Sequence, residues 1–178
     1  MTRFIGSWMA DLAILEEHLR TIDYRTATSR LQKFGIKYKE GGSVFMGYTW
    51  RGYLSPTQER EWCCKKKKYK TKLMSERPDL WEALEEFRDL YFPHFQFTGV
   101  QLNHNYKIGP HKDNNNVGES VLVSCGDYDG GLTCVEMEDG IVQKYDARTM
   151  PIIFDGSKFT HWVEEFSGER FSVVFFRD

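Results

Sequence analysis

Gln101–Asp113 reads QLNHNYKIGPHKD, and the fold of the chain turns on what surrounds this stretch. It carries His111 and Asp113 two positions apart. In an extended strand, residues i and i+2 point to the same face. The spacing therefore predicts an imidazole and a carboxylate side by side. A second imidazole is available at His161, in FTHW, and a guanidinium at Arg170, which opens RFSVVFF. Two histidines and one carboxylate on one face are a donor set that holds Fe(II) and leaves adjacent coordination positions open. Arg170, a strand's width away, would offer a fixed fork for bidentate capture of a carboxylate. An H-x-D pair alone is common. The four residues in order, each in a strand-like run, are what carry the reading.

Working outward, the pattern from Phe97 on is one of strands. FTGVQLNHNY, SVLVSCG, GLTCVEM, IVQKYD, MPIIFDG, FTHWVEEF and RFSVVFF are short, aromatic or β-branched, and separated by Gly, Asn or Asp. So many short runs predict a barrel or jelly roll rather than a parallel sheet. Upstream the period changes. Ser7–Ile22 reads as an amphipathic helix with Trp8, Leu12, Leu15 and Leu19 on one face. Thr26–Phe34 reads as a short helix closed by Gly35. Ile36–Tyr53 reads as strands with a hairpin turn at Gly41–Gly42, and Tyr48, Trp50 and Tyr53 as sheet aromatics that can also stack on a base. Pro78–Tyr91 reads as a helix, with Pro78 in its first turn, Leu80, Leu84, Phe87 and Tyr91 as its apolar stripe, and Pro93 past its end. His18 and His94 read as surface and turn residues. The expected architecture is mainly β with N-terminal helices (α+β), built on a double-stranded β-helix or jelly-roll, cupin-like core over 97–178. Residues 1–96 would form its support and the substrate entrance, within one domain of 178 residues.

The formal charge of −2 excludes a global basic field. No apolar run reaches the length of a membrane span, and the first residues lack the continuous apolar core of a signal peptide. We therefore expect no membrane, a cytoplasmic or nuclear setting, and a monomer. Cys63 and Cys64 lack a second pair at zinc spacing. Cys125 and Cys134 flank the GG turn, where they can face each other across a hairpin or sit as two buried reduced thiols. One local charge run stands out. Arg60–Lys72, REWCCKKKKYKTK, sets seven basic residues (Arg60, Lys65, Lys66, Lys67, Lys68, Lys70, Lys72) against Glu61, with Trp62 and Tyr69 interleaved. It reads either as a solvated loop or as a phosphate-binding arm, because phosphate contacts are local and release counterions.

The order His111, Asp113, His161, Arg170, together with the turn GDYDGG (Gly126–Gly131), the strand PIIFDG (Pro151–Gly156) and the pair Arg170 and Ser172, resembles the Fe(II)- and 2-oxoglutarate-dependent dioxygenases. The resemblance covers Phe97 to Arg177. Within that superfamily, NHNYKIGPHKDNNNVGES, GDYDGG and HWVEEFSGERFSVVFF look most like viral and phage members similar to the TET and J-binding-protein branch, which oxidises methyl groups on DNA pyrimidines. The prolyl-hydroxylase branch shares the GG turn and the terminal G-x-R. The resemblance implies Fe(II), 2-oxoglutarate and O2, with His111, Asp113 and His161 as metal ligands and the catalytic centre. Arg170, Ser172 and Asn103 would hold the cosubstrate.

Asn103 and Asn105, on alternating positions of one face, and Asn116, in the loop after the H-x-D pair, are the candidate readers of a pyrimidine edge, since an amide offers donor and acceptor together. Lys65, Lys66, Lys67 and Lys68 are candidate phosphate contacts. A base in a duplex would have to be flipped out. Three functions compete: oxidation of a pyrimidine methyl (5-methylcytosine or thymine) in nucleic acid, hydroxylation of a prolyl-type side chain in a protein, and metal binding without oxygen chemistry. The basic run and the Asn-rich loop favour the first. The intact quartet of His111, Asp113, His161 and Arg170 argues against the third.

Overall fold

A computed structural model describes residues 2–24, 41–51 and 67–178, and side chains within 7–24, 41–48 and 69–178. Eleven strands and three helices lie in these residues. Helix α1 spans Thr2–Arg20, α2 Lys72–Glu76 and α3 Pro78–Tyr91. The strands are β1 (Gly42–Arg51), β2 (Lys67–Lys70), β3 (Gly99–His104), β4 (Ser120–Cys125), β5 (Tyr128–Gly130) and β6 (Thr133–Glu136). They continue with β7 (Val142–Tyr145), β8 (Ile152–Phe154), β9 (Thr160–Val163), β10 (Phe166–Gly168) and β11 (Phe171–Phe176). The major sheet runs β2-β1-β3-β11-β4-β8, the minor sheet β7-β6-β9, and β10 pairs with β5. All the strand pairs are antiparallel. This is the jelly-roll core with helices on one side that the sequence pattern predicts.

The period-2 alternation of the central strands separates two environments. Val44 and Met46 of β1, Val100 and Leu102 of β3, Val173 and Phe175 of β11, and Val121 and Val123 of β4 face the helices. There they meet Trp8, Leu12, Leu15 and Leu19 of α1 and Leu80, Leu84 and Phe87 of α3, all buried. Each fully buried Leu or Phe in such a layer contributes about 1.5–3 kcal/mol relative to exposure. The predicted stripes are thus the observed ones. Arg77 caps α3 without a side-chain bond, Pro78 occupies its first turn, and Phe92 ends it ahead of Pro93. Trp8 also donates its indole N–H to the Arg148 carbonyl at 2.6 Å, tying α1 to the loop after β7. Alternate residues of the same strands point the other way, towards the minor sheet. A second cluster, Leu122, Val135, Ala147, Ile152 and Phe154, closes one end of that space.

Several expectations change. The strand count rises because β5 lies within GDYDGG and β10 opens on the last residue of the run read as FTHWVEEF; both are only three residues long. Helix α2 falls at the end of the basic run, nucleated by Thr71, whose hydroxyl accepts from the Met74 N–H. Cys125 and Cys134 are both free and buried but do not face each other. Cys125 sits under α1 on the major sheet, and Cys134 lies in the minor sheet beside Trp162. Burial pushes the Cys125 thiol up to about 12, so it is a packing residue. Tyr48 packs against Trp81 in the helical layer, which removes it as a base-stacking candidate. The Thr26–Phe34 helix, the residues before Gly41 in the Gly41–Gly42 hairpin, the side chains of Trp50 and Tyr53, and Cys63 and Cys64 lie outside the described residues. Among the described residues no helix is long and apolar enough to cross a membrane.

Candidate metal centre and carboxylate pocket

His111 and Asp113 are not on a regular strand. His111 forms an isolated antiparallel bridge with His161 of β9, each N–H donating to the other's carbonyl at 3.1 and 3.0 Å. Asp113 follows in the loop, its N–H donating to the Gly156 carbonyl at 2.8 Å. The i, i+2 argument paired His111 with Asp113, and they are neighbours, but Asp113 is held by its loop bond to Gly156 and not by strand alternation. One bridge sets the two histidines opposite each other, and residues directly opposite across a ladder share a face. Their ring centroids are 4.2 Å apart.

The ligand atoms of His111, Asp113 and His161 all lie within 4.8 Å of one another, a group that can hold a metal ion. His111 Nε2 is 3.7 Å from Asp113 Oδ1, and His161 Nε2 is 3.5 Å from Asp113 Oδ2. Each ring's other nitrogen meets a backbone carbonyl: Nδ1 of His111 at Gly109 (2.9 Å) and Nδ1 of His161 at Phe159 (3.1 Å). A carbonyl can only accept, so each Nδ1 must carry the proton. That turns Nε2 of both rings towards the carboxylate, and Nε2 is the nitrogen such a ring offers to a metal. Gly156 is part of the site too. A Cβ there would sit 3.0 Å from Asp113 Oδ2 and 3.3 Å from His161 Cε1, crowding the donor atoms.

The triad opens onto a cleft of about 690 Å³, mouth included, between the sheets. Arg170, immediately before β11, lines the same cleft. It is 2% exposed, yet its Nε and Nη2 have no hydrogen-bond partner among the described residues. Its guanidinium lies between the rings of Tyr128 (5.4 Å) and Phe166 (5.7 Å), carried by the β5–β10 pair. Gly131 (φ +68°) ends the turn above it, and a Cβ there would meet the Arg170 Cδ at 3.2 Å. Burial pulls the Arg170 guanidinium below its usual value, opposed by Tyr128, Cys125 and Asp146. Asp146 is not free to neutralise it, because both its carboxylate oxygens accept from Arg148. A buried cation left in this state costs several kcal/mol and calls for an anion in the cleft.

The other predicted site residues fall unevenly. Ser172 (4% exposed) and Asn103 (9%) line the cleft with Arg170. Asn105 does not share their face. It adopts φ +47°, accepts the Arg170 N–H through Oδ1 at 2.8 Å and donates its own N–H to the Arg170 carbonyl at 2.8 Å. Its amide clamps the backbone of Arg170, and the turn that does this breaks the alternation. Asn116 lines the cleft, but its Nδ2 points to Asp113 Oδ2 (3.3 Å) and Ser120 Oγ (3.2 Å). Lys65 and Lys66 lie outside the described residues, as do the side chains of Lys67 and Lys68. The sequence reading missed Thr133, which is 1% exposed on β6, lines the cleft and has an Oγ1 without a partner among the described residues. Its inward position after the GG turn was the available signal; a lone threonine carries no chemical signature.

No protein-family model and no curated protein matches the chain. Solved structures do. An oxidoreductase of the 2OG-Fe(II) oxygenase family from Burkholderia pseudomallei superposes with a TM-score of 0.59 at 16% identity, over 93% of this chain and 76% of that one. A Pseudomonas putida prolyl-4-hydroxylase gives 0.50 at 16% identity, over 96% and 85%. NgTET1 in complex with 5mC DNA gives 0.49 at 16%, over 93% and 67%, too low to bear on substrate. At such identities the likeness speaks for architecture, and the chain has the jelly-roll fold seen in 2OG-Fe(II) oxygenases.

Proposed function

We propose that the protein is an Fe(II)- and 2-oxoglutarate-dependent dioxygenase that hydroxylates the methyl group of a pyrimidine, 5-methylcytosine or thymine, in nucleic acid. The observation that carries the first half is the coexistence, in one cleft, of a two-His, one-carboxylate group and a buried arginine with two unpartnered donors. The residues fit both groups. His111, Asp113 and His161 offer nitrogen and carboxylate donors suited to a non-haem iron with open positions. Arg170 offers two parallel N–H donors to the far carboxylate of 2-oxoglutarate, with Thr133 and Ser172 supplying hydroxyls. Bound together, iron and 2-oxoglutarate supply the oxidising chemistry for an unactivated C–H. The chain's part is positional. Gly109 and Phe159 hold the two imidazoles in one tautomer, Asn116 steadies the Asp113 carboxylate, and Leu122, Phe154 and Val174 line the cleft with apolar surface that excludes water.

Support for the nucleic-acid half comes from the basic run. Its end forms β2, the edge strand beside β1, and β1 adjoins the β3 strand whose Gln101 and Asn103 line the cleft. A backbone bound along that edge would run past the cleft. The test is aerobic incubation with Fe(II), 2-oxoglutarate and either a 5-methylpyrimidine oligonucleotide or a proline-containing peptide, with mass spectrometry of both. Oxygen gained by the oligonucleotide is the expected result. DNA affinity should fall with salt at a log–log slope of about −0.9 per duplex phosphate neutralised, and Lys65–Lys68→Ser should flatten that slope without changing the base oxidised. Turnover of the peptide alone would assign the protein to protein hydroxylation.

A further inference from the structure

One row of the major sheet is polar where its neighbours are not. Ser43 of β1 sits opposite Asn103 of β3, Asn103 opposite Ser172 of β11, and Ser172 opposite Ser124 of β4. All four side chains are buried, on the face turned away from the helices. A chain of hydrogen bonds runs along the row. Gln101 Nε2 donates to Ser43 Oγ at 2.6 Å, Ser43 Oγ donates to Asn103 Oδ1 at 2.5 Å, and Asn103 Nδ2 donates to Ser172 Oγ at 3.2 Å.

We propose that Gln101, Ser43 and Asn103 act as a positioning relay that sets the direction of the Ser172 hydroxyl proton, aiming it into the cleft at the far carboxylate of a dicarboxylic cosubstrate. The inference rests on the reading that Arg170 holds that carboxylate. The physical reason is the two-ended character of an amide. Asn103 can turn either its oxygen or its NH2 towards Ser172, since each end finds use against a hydroxyl. Ser43 removes the ambiguity. Its oxygen accepts from Gln101, and among the described residues the acceptor its proton meets is Asn103 Oδ1, which leaves the NH2 end for Ser172. Ser172 then accepts from Asn103 and cannot donate back to it. On its other side, Ser124 bonds to the Tyr128 hydroxyl at 2.7 Å and makes no side-chain hydrogen bond to Ser172. The remaining Ser172 proton is left for the cleft, beside the unpartnered Nε and Nη2 of Arg170. Three donors to one carboxylate are then arranged before any ligand arrives, and no reorientation accompanies binding. Ser43 itself is not on the cleft wall, so its effect has to pass through Asn103.

The relay differs from mere satisfaction of buried polar groups in what it predicts for ligands of different length. Protein loaded with Mn(II), which keeps the same donor set without turnover, is titrated calorimetrically with 2-oxoglutarate and with oxalate, a chelating acid that has no far carboxylate. Ser43→Ala frees Asn103 to turn its oxygen to Ser172, which consumes the hydroxyl proton. Affinity for 2-oxoglutarate should fall about tenfold, while oxalate binding stays within error. In a Ser172→Ala background the same substitution should add nothing, because the group it acts through is gone. Ser43→Thr, which keeps the hydroxyl on a β-branched frame suited to a strand, should return 2-oxoglutarate affinity to near the native value. Native binding that survives Ser43→Ala, equal losses for both acids, or additive losses with Ser172→Ala would overturn the relay while leaving the Arg170 reading in place. Native protein that binds oxalate but not 2-oxoglutarate would overturn both.

Discussion

The two faces of the major sheet are made from the same strands and do opposite work. On the helical face, Val100, Leu102, Val173, Phe175, Val121 and Val123 are all at most 1% exposed and belong to one apolar cluster with the helices. On the cleft face, the alternate positions include Asn103, Ser172 and Ser124, equally deep but polar. Arg170 at the strand's start leaves two donors unmet. The first face stabilises the fold without constraining any ligand. The second gives up stability where buried donors and a buried charge stay unmet, and in exchange presents directional donors. A substitution's effect should therefore depend on which way its side chain points more than on where it lies along the strand.

The largest expected effect is at the metal centre. His111→Ala, Asp113→Ala and His161→Ala should each weaken Co(II) or Mn(II) binding by more than about 100-fold while thermal unfolding stays cooperative. Metal affinity near native in any one of them would remove that residue from the ligand set. Next comes a crossed pair that tests the two faces directly. Leu102→Ala should cost about 2–5 kcal/mol in urea unfolding and leave ligand affinity of the folded protein within about threefold. Arg170→Met should do the reverse. It should lower 2-oxoglutarate affinity by about 100-fold, the value of a charge-assisted pair, and leave stability unchanged or raised by about 1–4 kcal/mol as an unpaired buried charge is removed. If Arg170→Met destabilised the protein as Leu102→Ala does, Arg170 would be a structural group and the contrast between the faces would fail.

A smaller effect sharpens the boundary between structure and recognition at Asn105. Asn105→Asp keeps the acceptor for the Arg170 N–H, and Asp also tolerates a positive φ. Asn105→Gly keeps the backbone but loses the acceptor. The first should bind 2-oxoglutarate like the native protein and the second about three- to tenfold more weakly. Altered base choice in Asn105→Asp would restore the amide as a substrate reader. The smallest effect is at Asp146, whose carboxyl is held below its usual range by the bidentate Arg148. A depressed folded value adds stability above the unfolded value near 3.8 that is lost as pH falls through the folded one. Asp146→Asn should therefore be less stable than native at pH 7, by about 1 kcal/mol. The two should converge as pH falls below about 4. A gap that persisted undiminished at pH 2 would show that the clasp contributes by packing alone.

Local pattern alone determined a good deal about this protein. Apolar spacing marked α1 and α3 and their buried faces, because a 3.6-residue period is a property of the backbone. Alternation and turn residues marked most strands of the core. The chemistry of side chains picked out His111, Asp113, His161 and Arg170, since few residue types suit those roles. What local pattern cannot contain is which long-range partner each group finds. Asn105 and Asn116 looked like readers because an amide can bond a base. The fold instead turned one to the backbone of Arg170, 65 positions away, and the other to Asp113. Thr133, Ser43 and Gly156 had no local signature at all. Their positions come from strand register and from which loop crosses which strand, and those are set by the packing of the whole sheet. The direction of a hydroxyl proton or the need for a missing Cβ is decided by neighbours brought together only when the two sheets close. Residue type thus named the charged groups and the candidate metal donors, and tertiary structure alone decided which amides and hydroxyls were left to meet a ligand.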